Sequence, residues 1–254
     1  MDELQNQLAR LGLATLTGSG FALAGGYALQ AHGLTHRLSE DIDLFTDRWN
    51  AEAFERAVES VSTAFRDSGF QVELARQAET FARLLVTDAE TGRTTTVDLA
   101  ADFRTDEPVA LAIGPVVSET DAVAAKVAAV FSRAEARDYL DLADVIASGR
   151  YKRAELLSLG ELADAGFDRR HFAQALAAVD RFPDTDFERY GVDAAQVAAV
   201  RRSMHEWSRS LVEHPAPNLM KPAVRPRSRA RPDQSPERTT TSHEPLDQGP
   251  GIEQ

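Results

Sequence analysis

Cysteine is absent from the 254-residue chain, and long apolar runs are missing as well. Without cysteine the protein has no disulfide framework, no thiolate nucleophile and no cysteine-ligated zinc, and a reducing compartment is permitted. No window reaches the roughly 18 consecutive apolar residues that a membrane-spanning helix needs. The first residues place Asp2, Glu3 and Arg10 in an amphipathic stretch that lacks the basic and apolar regions of a signal peptide. We therefore expect a cytoplasmic protein with no membrane partner.

Positive charge is scarce, because 28 lysines and arginines face 40 aspartates and glutamates and leave a formal net charge of −12. Residues 213–254 contain six basic and six acidic residues, so the body of the chain, residues 1–212, carries all of this charge. That sign is wrong for a general nucleic-acid binder. The hydrophobic share of 43% and the charged share of 27% are those of an ordinary globular protein.

The C-terminal segment, residues 213–254, differs from the body in composition. It holds eight of the eleven prolines and almost no large apolar residues, so burial cannot offset the entropy lost on ordering. We predict that this tail is disordered. Within it, the basic arm 221–231 carries five positive charges and no acidic residue, which is either an ordinary solvated linker or a contact for RNA.

Hydrophobic periodicity divides the body into a mixed first half and a helical second half. The first half is predicted to contain helices over 3–17 and 50–67, a short helix between Gly25 and Gly33, and strands over 21–25, 39–45, 70–75, 81–88 and 94–100. After Pro115 the pattern predicts helices over 119–131, 135–148, 153–164, 169–181 and 193–212. We predict an α+β fold with an α/β core over 1–115, a helical domain over 116–212 and the tail 213–254.

Asp41 and Asp43 stand two residues apart on the strand predicted over 39–45. Since side chains alternate along a strand, both carboxylates point to one face while the intervening apolar residues point into the core. Converging carboxylates can bind a divalent cation, which in turn holds phosphates, although such a pair also occurs by chance on solvated strands. Gly25 and Gly26 end the preceding strand and open a helix, where bare backbone N–H groups can cradle phosphate.

Together these features resemble the signature of the DNA polymerase β nucleotidyltransferase superfamily. Residues 25–45, GGYALQAHGLTHRLSEDIDLF, are similar to the first motif of the AbiEii toxin family, in which His-Arg-x-Ser precedes the acid pair. His36, Arg37 and Ser39 occupy those places. Downstream, Lys126, Arg133 and the Arg-Asp-Tyr-Leu-Asp-Leu run over 137–142 resemble the family's lysine helix and its Arg-Asp-x-x-Asp-Leu block.

The resemblance, which covers about residues 20–150, implies a polymerase-β-like mixed sheet with flanking helices and a helical half that completes the active site. It implies a nucleotidyltransferase that moves a nucleoside monophosphate from an NTP to an acceptor hydroxyl, with Mg²⁺ or Mn²⁺ as cofactor. Asp41 and Asp43 would hold the metal, and a third carboxylate would serve as a further ligand or as a general base. Asp98 is the candidate for that third position and Asp102 the less favoured alternative. Nucleotide binding would fall to Gly25, Gly26, Ser39, Lys126 and Arg133.

Lys126 is expected to face the phosphates, with Asp141 orienting it or acting near the reacting centre. If one helix ran through 126–144, Lys126, Arg133 and Asp141 would share a face and Asp138 would turn away. This angular argument favours Asp141 over Asp138, but it fails if the chain breaks near 134–135. An ordinary exposed face laced with ion pairs has the same pattern.

Three hypotheses about function follow. The first is the toxin of a type IV toxin–antitoxin pair, for which the resemblance implies a cognate antitoxin and an acceptor at the 3′ end of tRNA. The second is a small-molecule nucleotidyltransferase of the aminoglycoside-modifying kind, whose acidic pocket would suit a cationic substrate. The third is an inactive binding module. We interpret Trp49 and Trp207 as packing residues.

Overall fold

The computed structural model describes residues 2–37 and 39–213. Its first half contains α1 (Glu3–Thr15), β1 (Ala22–Leu23), α2 (Gly25–Ala31), β2 (Asp41–Thr46), α3 (Ala51–Asp67), β3 (Phe70–Ala78), β4 (Phe81–Asp88), β5 (Thr94–Ala101), β6 (Val109–Leu111) and β7 (Gly114–Val116). Its second half contains α4 (Glu119–Ser132), α5 (Ala136–Ala147), α6 (Arg153–Ala163), α7 (Arg169–Ala177), a 3₁₀ turn (Ala178–Arg181), α8 (Asp184–Glu188) and α9 (Ala194–Glu213). The predicted tail lies outside the described residues apart from Glu213, which ends α9. Among the described helices, none is long and apolar enough to cross a membrane.

Seven strands of the described chain form one mixed sheet in the order β3-β4-β5-β2-β1-β7-β6. β2 is parallel to β5 and antiparallel to β1, while β4 is antiparallel to both β3 and β5. The parallel pair places Asp43 directly beside Asp98. The predicted α+β class, a mixed sheet with flanking helices followed by a helical half, is confirmed.

β2 shows the predicted alternation between its two faces. Ile42 and Leu44 are fully buried, whereas Asp41 and Asp43 are only partly buried. Leu44 lies against Gly12 of α1, close to Phe65 of α3, so these helices cover the apolar face of the strand. The other face of β2, which carries the two aspartates, lines a cavity that α4 and α5 also line.

The second half packs around buried aromatic rings. Phe172 lies 5.1 Å from Trp207, edge to face, and 5.1 Å from Phe167. Trp207 is buried, as predicted, but Trp49 is 64% exposed. The interpretation of Trp49 as a packing residue was wrong because its loop follows β2 beyond the part of the strand that the helices cover.

The chain breaks between α4 and α5, at the position on which the angular argument depended. Ala134 has a φ of 51°, and among the described residues it is the only non-glycine with a positive φ. Because α4 ends at Ser132 and α5 begins at Ala136, the two helices have separate axes. The helical-wheel comparison of Asp141 with Asp138 therefore does not apply. The short elements β6, β7 and α8 escaped prediction since they are too brief to show a periodic pattern.

Candidate active site

A cavity of about 300 Å³ opens beside the polar face of the sheet. The backbone at the start of α2 lines it, together with side chains from the strands β2, β4 and β5 and from the helices α4 and α5. Charged groups of both signs line it: the cations Arg37, Arg83, Arg104, Lys126, Arg133 and Arg137 and the carboxylates Asp41, Asp43, Asp98, Asp102 and Asp121. Such a lining suits an anionic substrate bound together with a metal cation.

Three of these carboxylates come from neighbouring strands. Asp41 and Asp43 share one face of β2, and Asp98 of β5 pairs in register with Asp43. Burial raises the pKa of Asp43 to about 6; the charge of Lys126 opposes this shift, and the charges of Asp98 and Asp41 add to it. Among the described residues, no side chain donates a hydrogen bond to the Asp43 carboxylate. Negative charge at this point of the sheet is therefore incompletely compensated.

The donor set fits a divalent metal ion. Carboxylate oxygens are the hard ligands that Mg²⁺ and Mn²⁺ prefer, and a cation beside Asp43 would offset the burial and the repulsion from Asp98 and Asp41 that raise its pKa. Yet within the described part of the chain no group of three or more His, Asp or Glu side chains is arranged to hold a metal. Asp41 and Asp43 stand on one face as expected, while the oxygens of Asp98 are occupied by Arg83, with distances of 2.8 and 2.6 Å.

Gly25 and Gly26 begin α2 at the cavity wall. Gly25 has a φ of 60°, and a Cβ at this position would overlap the Asp43 carboxylate. A Cβ at Gly26 would lie 2.9 Å from both the Arg37 guanidinium and the Ser39 hydroxyl. The glycine pair thus lets charged and polar side chains approach the bare backbone at the start of α2, and a larger residue at Gly25 is excluded twice, by conformation and by space.

Lys126 enters the cavity from α4 with its amine already held. Its Nζ lies 2.9 Å from an oxygen of Asp141 and 3.6 Å from an oxygen of Asp138, and both aspartates are fully buried on α5. Arg37 donates two hydrogen bonds to Asp141, at 2.6 and 2.7 Å. Arg133 donates two to Asp138, at 2.9 Å each. Buried cations and carboxylates here satisfy one another.

Asp138 is a residue that the sequence argument set aside. Burial alone would raise the pKa of Asp138, but the hydrogen bonds from Arg133 and the charge of Lys126 hold it below its usual value. Asp141 does not line the cavity, and of its two expected roles the geometry matches that of orienting Lys126. A continuous helix would have turned Asp138 away from Lys126. Because the chain breaks at Ala134, α5 has its own axis and both aspartates face Lys126.

Two arginines pair with carboxylates of the sheet. Arg83 of β4 binds both oxygens of Asp98, and Arg137 of α5 donates to Asp41 at 2.8 Å. Arg83 was missed by the sequence argument, although a signal existed. The predicted hairpin between β4 and β5 pairs Thr87 with Thr94. Four residues farther from the turn on each strand, Arg83 lies opposite Asp98.

This constellation can be compared with known proteins. The family model of the nucleotidyl transferase AbiEii toxin, of type IV toxin–antitoxin systems, matches residues 8–217. The chain belongs to this family. It is accordingly a nucleotidyltransferase of the toxin–antitoxin class, as the first motif and the lysine helix predicted. No curated protein matches the chain.

Solved structures resemble this AbiEii-family chain at low sequence identity. A proposed nucleotidyltransferase from H. pylori superposes with a TM-score of 0.51 at 17% identity, over 85% of this chain and all of the other. JHP933 from Helicobacter pylori gives a TM-score of 0.48 at 17% identity over 84% and 96% of the two chains. MenT4, a nucleotidyltransferase toxin from Mycobacterium tuberculosis, gives 0.46 at 21% identity over 84% and 89%. The first of these likenesses supports the fold.

Within the AbiEii-family cavity, the structure brings together nearly every residue that the sequence singled out. Those lining it are Gly25, Gly26, Ser39, Asp41, Asp43, Asp98, Lys126 and Arg133, and the less favoured Asp102 lines it too. Asp141 stands behind the wall, against Lys126. Their roles in binding and catalysis stay predictions.

Proposed function

We propose that this nucleotidyltransferase uses a divalent metal ion, Mg²⁺ or Mn²⁺, to transfer a nucleoside monophosphate from an NTP to an acceptor hydroxyl. The observation that carries the proposal is the juxtaposition, in one cavity, of the Asp41 and Asp43 carboxylates with the amine of Lys126. The carboxylates suit a metal–triphosphate and the lysine suits its phosphate oxygens. In the reaction the acceptor oxygen bonds to the α-phosphorus, the α–β bridging bond breaks, and pyrophosphate leaves.

Each side chain has a distinct task in this scheme. Asp41 and Asp43 hold the metal, which when bound supplies positive charge against the phosphates. Lys126, kept in place by Asp141, offsets negative charge that develops on the bridging oxygen. Asp98 either joins the metal ligands or accepts the proton of the acceptor hydroxyl, and Asp102, whose pKa is raised by burial, is the alternative base. Gly25, Gly26, Ser39 and Arg133 complete the nucleotide contacts.

The proposed acceptor is tRNA, and two exposed aromatic side chains support it. Trp49 is 64% exposed and Phe103 is 57% exposed, in the loops that follow the parallel strands β2 and β5. These loops are tied together by Arg104, which donates to Asp47 at 2.6 Å and also lines the cavity. Unpaired bases of a single-stranded end stack on exposed aromatic rings. The basic arm 221–231, the other proposed RNA contact, lies outside the described residues.

A small molecule is the alternative acceptor. The aminoglycoside type of nucleotidyltransferase would need an acidic pocket for its cationic substrate. The cavity instead carries at least as many cationic as anionic side chains, which favours a phosphate-bearing acceptor. Membership of a type IV toxin–antitoxin family implies an antitoxin partner, and we propose that the two are encoded side by side.

The test is to incubate the protein with each α-³²P-labelled NTP, Mg²⁺ and total tRNA, beside the Asp41→Asn variant. Label on tRNA from the wild type alone is the expected result, and the strongest label identifies the preferred base. Asp67→Asn, an exposed change on α3, is the control for loss of one carboxylate. Full activity of Asp41→Asn would contradict the assignment of the metal site. Label on an added aminoglycoside but not on tRNA would support the alternative acceptor.

A further inference from the structure

Four of the six cations of the cavity pair with aspartates outside the proposed metal site, and two pair with carboxylates inside it. Lys126, Arg37 and Arg133 pair with the buried aspartates of α5, and Arg104 pairs with Asp47 at the rim. Only Arg83 and Arg137, among the cavity cations described, pair with carboxylates proposed to hold the metal. These two arginines therefore occupy oxygens that a metal ion needs.

The competition is direct at both carboxylates. Arg83 takes both oxygens of Asp98, at 2.8 and 2.6 Å, and Arg137 takes one oxygen of Asp41 at 2.8 Å. A divalent cation at these carboxylates would repel the guanidinium groups and compete with them for lone pairs of the same oxygens. Binding of the metal should therefore weaken both ion pairs.

Both arginines are partly exposed, as is Arg133, whose side chain is 47% exposed but holds a fully buried aspartate. The Arg83 side chain is 44% exposed and that of Arg137 is 24% exposed, compared with 7% for Lys126 and 3% for Arg37. They reach the cavity from different elements, Arg83 from β4 and Arg137 from α5. A guanidinium that leaves a carboxylate can make the same paired hydrogen bonds to a phosphate group.

We propose that Arg83 and Arg137 are exchangeable counter-ions, which neutralise Asp98 and Asp41 in the metal-free protein and transfer to the triphosphate when the metal–nucleotide enters. The inference rests on the proposed function, since it assumes that these aspartates receive a metal. It makes the arginines nucleotide-binding residues. It also predicts that removing either has opposite effects on the two ligands: tighter binding of metal alone and weaker binding of nucleotide.

The experiment measures Mn²⁺ binding to the nucleotide-free protein by electron paramagnetic resonance, and then binding of a non-hydrolysable NTP analogue in saturating Mn²⁺. Arg83→Gln and Arg137→Gln are each expected to bind Mn²⁺ about twofold to fivefold more tightly than wild type, the range for loss of a partly exposed ion pair. Each is expected to bind the analogue about tenfold more weakly, since a charge-assisted contact to phosphate is lost.

Two variants separate displacement from a general loss of positive charge. Arg104→Gln removes one cation from the same cavity without freeing a metal carboxylate, so its Mn²⁺ affinity should stay closer to that of wild type. Arg83→Lys keeps the charge but lacks the paired guanidinium hydrogen bonds, and it should still bind Mn²⁺ more tightly than wild type. Thermal unfolding of each variant verifies that it is folded.

The outcomes distinguish this inference from the proposed function. If wild type binds Mn²⁺ and labels its acceptor, while both affinities fall together in Arg83→Gln and Arg137→Gln, the exchange is wrong and the metal site stands. Equal Mn²⁺ affinities in Arg83→Gln and Arg104→Gln would overturn it equally, because charge alone would then explain the effect. If wild type binds no Mn²⁺ and transfers no label, both the exchange and the metal-dependent function are rejected.

Discussion

Two groups of aspartates surround the cavity that Lys126 lines, one on the sheet and one on α5. On α5, Asp138 and Asp141 are fully buried, and every charge has a partner in Arg37, Arg133 or Lys126. On the sheet, Asp43 has no donor of its own among the described residues, and burial raises its pKa to about 6, whereas the pKa of Asp138 is lowered. The α5 aspartates thus stabilise the fold, whereas the sheet aspartates, in the function proposed above, hold the metal.

The largest expected effect comes from removing one charge of the sheet group. Asp43→Asn should reduce nucleotide transfer by about a thousandfold or more, since the metal supplies several kcal/mol of transition-state stabilisation. The same change should raise the melting temperature of the metal-free protein, because it removes a partly buried carboxylate whose charged form the surroundings disfavour. Radiolabel transfer and a thermal scan measure the two effects. A lower melting temperature would show that Asp43 belongs with the α5 aspartates instead.

The opposite result is expected on α5. Asp141→Asn should lower the free energy of unfolding by about 3–5 kcal/mol, because it leaves Arg37 and Lys126 buried beside an uncharged amide. Urea unfolding measures the loss. Glu40→Gln breaks an exposed pair with Arg189 and should cost less than about 1 kcal/mol. Similar costs for the two variants would remove the distinction between a buried and an exposed carboxylate.

The pH dependence of stability should also separate the two groups. The pKa of Asp43 in the folded protein is about 6, above the ordinary value of 3.8, so its favourable contribution is present below pH 4 and lost as pH rises through 6. Asp43→Asn should therefore gain stability relative to wild type between pH 4 and 6, with a constant difference above that range. For Asp138, whose pKa is lowered, stability is instead lost as pH falls. Urea midpoints at several pH values test both signs, and a constant difference across the whole range would contradict the assignment for Asp43.

The smallest effect concerns the junction that carries the α5 aspartates to Lys126. Ala134 has a φ of 51°, a region that costs a residue with a Cβ about 1–2 kcal/mol. Ala134→Gly should relieve this strain and, after the entropy that glycine adds to the unfolded chain, stabilise the protein by less than about 1 kcal/mol. Chemical denaturation measures it, with Ala128→Gly inside α4 as a control expected to destabilise. A loss of stability in Ala134→Gly would show that the junction is unstrained.

The sheet group was accessible to prediction because it depends on local pattern. Alternation along β2 fixes the direction of Asp41 and Asp43, and the hairpin turn fixes the register of β4 on β5. Gly25 likewise indicates a backbone with a positive φ, which glycine adopts most readily. These features arise within a few residues of one another or across one turn, where periodicity and turn chemistry determine geometry.

The α5 group was harder because its contacts are distant in sequence. Arg37 and Asp141 are 104 residues apart, and no local pattern relates them. A break near 134–135 was recognised as an alternative, but Ala134 is neither glycine nor proline, so the local sequence did not require one. The exposure of Trp49 likewise could not be predicted, because it depends on how the elements pack and not on the local sequence.

The bond between Arg37 and Asp141 also has a consequence for how the toxin is made. The Asp141 carboxylate that holds Lys126 also binds Arg37, in the first sixth of the chain, so a ribosome must release well over half of the polypeptide before this cluster forms. A nascent chain that stops before α5 has the acid pair and the glycines but no fixed lysine. The proposed active site is therefore complete only late in translation.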